Sequence, residues 1–151
     1  PVKGFAEDVG SKTTIRIQNV DHLGFKEPQD QMLIFTMRNP KDVKKYVDYR
    51  KRYKNRPQFA FNPEFWCYVW DWVNHRKLKP STGLAGVVLA LRICSGGVDL
   101  YGFSHSAEEF HYFNHLPPKV TQKEVYEYHP LLEEAAIYRE LDEIGMVKHI
   151  E

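Results

Sequence analysis

Lys79-Pro80-Ser81-Thr82-Gly83-Leu84-Ala85-Gly86-Val87-Val88-Leu89-Ala90-Leu91-Arg92-Ile93-Cys94 runs directly into Ser95-Gly96-Gly97-Val98-Asp99-Leu100-Tyr101-Gly102-Phe103, and the fold turns on how this stretch is read. Pro80 and the hydroxyls of Ser81 and Thr82 suit a helix start, where free N–H groups need acceptors. Leu84, Val87, Val88 and Leu91 follow the i, i+3, i+4, i+7 rule, and Ala85, Leu89 and Ala90 make most of the remaining surface apolar too. The pattern predicts a buried helix. Gly83 and Gly86 allow another backbone or a ligand to come close. Gly96-Gly97 then turns the chain, and Val98–Tyr101 reads as a short strand. A helix mouth with unpaired N–H groups, two hydroxyls and a glycine is suited to a phosphate. Capping alone accounts for the same residues.

Working outward, Pro1–Thr14 reads as loop and Thr13–Asn19, with Ile15 and Ile17 alternating, as a strand. Met32-Leu33-Ile34-Phe35 within Gln31–Arg38 suits a buried strand. Asn39 or Pro40 opens a helix over Asp42–Tyr53, and Gln58–Phe61 is another short strand. Asn62-Pro63-Glu64 starts a helix over Pro63–His75, with Trp66, Val69, Trp70 and Val73 at helical spacing on its core face. Ser104–His115 is polar and irregular, Leu116-Pro117-Pro118 breaks any helix, and Glu124–Tyr128 reads as extended. His129-Pro130 opens a last helix that runs to Ile144 and stops at Gly145. Met146–Ile150 is a terminal strand or tail. Alternating strands and helices predict an α/β layered sheet, largely parallel.

The 151 residues give room for one domain with a real core. A formal net charge of +1 supplies no global field for nucleic acid or an acidic partner. The longest apolar run, Leu84–Leu91, is far short of the ~20 residues a bilayer span needs. Aromatics reach 14%, which suits heavy packing or stacking on sugars and bases. Cys67 and Cys94 are the only cysteines, and the sequence alone leaves both a bridge and two buried free thiols open.

Several constellations compete for the chemistry. His111 and His115 lie at i, i+4 with His105 nearby, but no further ligand beyond Glu108 and Glu109 has zinc spacing, so they read as solvated loop histidines and no metal is expected. The basic segment Lys41–Arg56 reads as a solvated face, because Tyr46, Tyr49 and Tyr53 fall on one helical stripe that packs inward; no nucleic-acid partner is expected. His129 sits where the last helix begins. Histidine titrates near neutrality, so this residue suits a general base, although a polar cap would also explain it. Five residues along a helix is about 140° around its axis, so a helical His129 would have Glu133 rather than Glu134 beside its ring.

Taken together, four ordered segments resemble one family. Pro80-Ser81-Thr82-Gly83, with Cys94 and Val98-Asp99-Leu100-Tyr101-Gly102-Phe103, is similar to the small sialylmotif of the eukaryotic-type sialyltransferases, glycosyltransferase family 29. His111-Tyr112-Phe113 resembles the third motif. His129, four residues and Glu134 match the very small motif. Gly4–Thr14 resembles the closing part of the large motif. The resemblance spans essentially the whole chain.

It implies a Rossmann-like layered sheet of the variant GT-A type. It implies that residues 1–151 are the C-terminal part of a single catalytic domain, cut within the large motif and incomplete without its N-terminal part. The implied reaction is inverting, metal-independent transfer of sialic acid from a CMP-sugar donor to a glycan acceptor, with no cofactor. Another CMP-linked keto-deoxy sugar such as Kdo, or an inactive nucleotide- or glycan-binding homologue, is the alternative. Ser81, Thr82, Gly83, Gly102 and Phe103 would hold the donor. His111 would bind its phosphate and help CMP leave, and His129 would be the base. Glu134 would be structural, and Cys94 would be disulfide-linked to the missing N-terminal part. Full-length members of the family are expected in the Golgi lumen as type II membrane proteins.

Overall fold

Short apolar runs flanked by polar turns pair in parallel when helices connect them. A computed structural model of the chain describes residue 4 and residues 6–22, 31–73, 77–103 and 127–150, and it divides into two units, residues 1–65 and 66–151. In the first unit, β1 (Ile15–Asn19), β2 (Met32–Thr36) and β3 (Gln58–Ala60) form a parallel sheet in that order. Ile17 stands opposite Ile34, and Ile34 opposite Phe59. The strands fall inside the segments expected from sequence. A short helix α1 (Ala6–Val9) occupies part of the region read as loop.

Helix α2 (Pro40–Arg52) crosses from β2 to β3. Asn39 caps it, its side-chain oxygen accepting from Lys41 N–H at 2.9 Å and Asp42 N–H at 3.2 Å. The buried Asp42 carboxylate accepts from Arg38 N–H at 3.0 Å and Arg38 Nε at 3.2 Å, so the end of β2 and the first turn of α2 are tied together. Arg38 and Lys45 also both bond Asp21. Of the three tyrosines expected to pack inward, Tyr46 is buried and Tyr49 half-buried, whereas Tyr53, at the C-cap, is exposed. Phe35, fully buried, packs on Tyr46 and Tyr49 with ring centroids 5.4 and 5.6 Å apart, while Tyr53 stacks on Tyr49 further out. Val20 and Leu33 complete this core. Burying a ring such as Phe35 contributes about 1.5–3 kcal/mol.

Helix α3 (Pro63–Trp70) is shorter than its apolar spacing predicts, giving way to turns at Asp71–Val73. Val69 and Val73 are buried, whereas Trp66 and Trp70 are half-buried. In the second unit, α4 (Thr82–Ile93) begins at the expected cap. Leu84, Ala85, Val87 and Val88 are buried, and the helix surfaces towards Arg92 and Ile93. The Arg92 guanidinium lies 4.2 Å from the centre of the Tyr68 ring. Strand β4 (Asp99–Tyr101) pairs in parallel with β5 (Lys148–Ile150), Leu100 opposite His149.

Helix α5 (Leu131–Glu143) lies between them in the chain. It starts two residues later than expected, with Pro130 as its cap, and Glu127 and Tyr128 just before it are helical rather than extended. Its end is a Schellman turn: Met146 N–H donates to Leu141 C=O at 2.8 Å and Gly145 N–H to Asp142 C=O at 2.9 Å, with Gly145 at φ +73°. The fold is thus mixed α/β with all described strand pairs parallel and helices between them, as the Rossmann-like expectation requires. No helix among the described residues is long and apolar enough to cross a membrane.

Gly145 adopts a backbone conformation that costs an L-residue roughly 1–2 kcal/mol. Gly145→Ala is expected to lower unfolding free energy by about 1 kcal/mol in urea titrations, with the far-ultraviolet circular dichroism unchanged. An unaltered midpoint would show that the turn is not under this constraint.

Candidate active site

The second unit brings the α4 mouth and the start of α5 together through Ser81 and Glu134, 53 positions apart. Ser81 N–H donates to Glu134 Oε1 at 2.6 Å, and Ser81 Oγ–H donates to Glu134 Oε2 at 2.5 Å. Ser81 Oγ also accepts from Leu84 N–H at 3.0 Å, which is the helix cap itself. A single hydroxyl therefore caps α4 and binds a carboxylate on α5. Its one proton is committed to Glu134, so Ser81 has no side-chain donor left for an anion.

Glu134 is 2% exposed. Burial raises its carboxyl above the ordinary value of 4.5, an effect partly offset by the Ser81 hydrogen bonds, the nearby His129 charge and the Tyr138 hydroxyl. Tyr138 O–H, one turn along α5, donates to Glu134 Oε2 at 3.4 Å.

His129 lies ahead of α5 rather than within it, so the rotation expected for a helical His129 does not apply. Its Nδ1 is 2.7 Å from Lys79 C=O, and Lys79 N–H donates to Tyr128 C=O at 3.0 Å. A carbonyl only accepts, so Nδ1 must carry the proton in this contact. In the neutral ring Nε2 then holds the lone pair. The contact thereby orients the ring and fixes its neutral tautomer.

Gly83 completes the mouth by having no side chain. A Cβ there would stand 3.2 Å from Ser81 Oγ and 3.3 Å from Phe103 Cε1. Phe103 in turn meets Tyr138 edge-on, with centroids 5.1 Å apart and planes at 80°. Gly102, at φ +73°, ends β4 exposed, and Thr82 is exposed at the first turn of α4. Among the described residues, Thr82 N–H and Gly83 N–H have no recorded hydrogen-bond acceptor, whereas Leu84 N–H and Ala85 N–H both bond Ser81.

Thus Ser81, Gly83, Phe103, His129 and Glu134, separated in sequence, lie in one network with Lys79 and Tyr138. The proposed phosphate ligand His111 lies outside the described residues, as do His105 and His115. Among the described residues no cluster of three His, Cys, Asp or Glu could hold a metal ion. Cys67 and Cys94 are both free thiols, so the bridge between them that the sequence left open is not formed, and both are exposed rather than buried. Tyr138 carried a sequence signal that could have been used, since it stands at i+4 from Glu134 on the same helical face. The Lys79 carbonyl carried none.

His129, oriented by Lys79 C=O, thus lies beside the segment that opens α4, whose first N–H groups suit an anion. The family model for glycosyltransferase family 29 (sialyltransferase) matches residues 26–146, and the chain belongs to that family. It is 27% identical over 173 residues to the Bos taurus beta-galactoside alpha-2,6-sialyltransferase 2, covering 94% of this chain and 34% of that protein. It is 31% identical over 134 residues to the Sus scrofa CMP-N-acetylneuraminate-beta-galactosamide-alpha-2,3-sialyltransferase 1, covering 78% of this chain and 39% of that protein. The Homo sapiens beta-galactoside alpha-2,6-sialyltransferase 1 is 25% identical over 95% of this chain and 42% of its own length. The chain spans about a third of the length of the curated relatives it matches. No solved structure gives a significant match.

The raised Glu134 carboxyl fixes the sign of a pH effect. Between 4.5 and its raised folded value the folded state binds more protons than the unfolded state, so this group's contribution to stability is full below 4.5 and is lost as pH rises through the folded value. The stability of the parent relative to Glu134→Gln is therefore expected to fall with rising pH across that window. Denaturant titrations at several pH values check this, and a difference that rises instead would refute the burial account.

Proposed function

We propose that the full-length protein transfers sialic acid from a CMP-linked donor to a hydroxyl of an acceptor glycan, with inversion and without a metal ion. The observation that carries this reading is the 2.7 Å contact between His129 Nδ1 and Lys79 C=O, which leaves Nε2 as a base beside the α4 mouth. His129 Nε2 takes the proton of the acceptor hydroxyl as that oxygen attacks the anomeric carbon. The bond from that carbon to the phosphate oxygen breaks, and CMP leaves with the electron pair.

The N–H groups of Thr82 and Gly83 at the positive end of α4, with the Thr82 hydroxyl, bind the donor phosphate. Ser81 acts there as the anchor of that turn, because its hydroxyl proton is already given to Glu134. Gly102 and Phe103 line the nucleotide side, and His111 donates to the leaving phosphate. The printed names of the relatives differ in linkage and acceptor, so the donor sugar is the part that transfers. The same reading puts the full-length protein in the Golgi lumen as a type II membrane protein. Cys94, exposed at the end of α4, would there be bridged to a cysteine upstream of this segment.

In the full-length enzyme, His129→Ala is expected to lower kcat by about 100- to 10,000-fold, the range for loss of a general base, with donor KM little changed. Transfer from CMP-sialic acid should continue at the same rate in EDTA. Full activity of the variant would remove His129 from the reaction, and inhibition by the chelator would remove metal independence.

A further inference from the structure

We propose that Tyr138 is a positioning residue for the donor site, its hydroxyl steering Glu134 onto Ser81 while its ring edge holds Phe103 against Gly83. The inference rests on the reading of the α4 mouth as the donor site, and it adds a residue that the family's motifs do not include.

Tyr138 is 5% exposed, and a buried phenol needs a partner for its hydroxyl. A phenylalanine would fill the same volume without that need. The hydroxyl instead reaches Glu134 Oε2, the oxygen that receives the Ser81 Oγ proton, and it also interacts with the Ser81 hydroxyl. The two Ser81 donors hold Glu134 from the α4 side, and Tyr138 adds a third donor from α5 on Oε2, which favours the rotamer that meets Ser81. Burial first, and then the Glu134 charge, push the phenol far above its ordinary value, so it remains a donor across the working pH range.

The other side of the ring sets the opposite wall. Phe103 meets Tyr138 edge-on, and its Cε1 lies where a Cβ on Gly83 would be only 3.3 Å away. Tyr138 thus touches both groups that bound the first turn of α4: the carboxylate holding Ser81 and the ring facing Gly83. Displacing either moves the N–H groups assigned to the donor phosphate. Among the described residues, the titratable groups facing Glu134 are Tyr138 from its own helix and His129 from the segment before it; the α4 side contributes Ser81.

The test uses the full-length enzyme with CMP-sialic acid and a fixed acceptor. Tyr138→Phe keeps the ring and removes the hydroxyl. Donor KM is expected to rise about fivefold, the size of one lost hydrogen bond, with kcat within about twofold. In a Glu134→Gln background the same change should alter donor KM by less than about twofold, because Tyr138 acts through that carboxylate. Protonating Glu134 removes an acceptor from Ser81 and is expected to raise donor KM at low pH; loss of the Tyr138 hydroxyl raises that carboxyl further, so the rise should begin at a higher pH in Tyr138→Phe. A variant that loses kcat with donor KM unchanged, or that costs the same in both backgrounds, overturns the positioning role. If the parent enzyme transfers nothing from any CMP-sugar, the donor-site reading itself fails. If the parent is active and Tyr138→Phe is kinetically silent, only this inference fails.

Discussion

The second unit is built around a buried carboxylate that has to be satisfied. Taking Glu134 out of water costs several kcal/mol unless donors replace its hydration. Ser81 supplies two of them, a backbone N–H and a hydroxyl, from the start of a different helix. The cost of leaving that charge unpaired makes the arrangement close to obligatory: α5 can settle only where Ser81 is, and α4 can begin only where Glu134 is. Because Ser81 is also the cap of α4, the same contact decides where that helix starts and therefore where its free N–H groups point.

A second tie runs parallel to the first. The Lys79 amide and carbonyl are both engaged by Tyr128 and His129, so the backbone just before the α4 mouth is stitched to the backbone just before α5. The two ties act on different atoms. The carboxylate fixes the helix mouth, and the carbonyl fixes the imidazole. With Lys79 and Ser81 only two residues apart, and Pro80 between them buried and restricted in φ, His129 and the α4 mouth are held to one short rigid segment. On the proposed reading, a base and an anion site that act on two ends of one reacting bond benefit from such a connection, since small misplacements are costly in rate.

Local signals were legible in the sequence where one residue type answers one backbone need. Asn39-Pro40 started α2, Ser81 capped α4, and Gly145 stopped α5, because each satisfies or ends a ladder within a few positions. The apolar run Leu33–Phe35 marked a buried strand for the same reason. What could not be read was which distant group satisfied which. Glu134 was expected to matter through the family motif, yet its partner Ser81 lies in another helix, and helical spacing pointed to Glu133. That spacing argument assumed His129 was helical, whereas α5 starts at Leu131, two residues later, with Pro130 as its cap. The role of Lys79 belongs to its backbone, which every residue type has, so no sequence pattern could announce it. The short helix at Ala6–Val9 carried too few residues for a period to show.

The commitment of Ser81 also changes how the helix mouth divides its work. Ser81, Thr82 and Gly83 look equivalent in the sequence, three small residues at a helix start. In the structure they are not. Ser81 gives both its N–H and its hydroxyl proton to Glu134, so on the proposed reading it contributes position rather than binding. Thr82 and Gly83 keep their N–H groups at the positive end of α4, where an anion gains most. A Cβ at Gly83 would crowd Ser81 Oγ at 3.2 Å and Phe103 Cε1 at 3.3 Å, so a larger residue there would require those neighbours to shift. A carboxylate placed at a helix N-terminus would ordinarily compete with an anionic ligand for the same donors. Of the donors at the α4 N-terminus, Glu134 takes only those of the cap residue, one position outside the helix. On the proposed reading, the carboxylate that organises the mouth thus leaves the next two N–H groups for the donor phosphate.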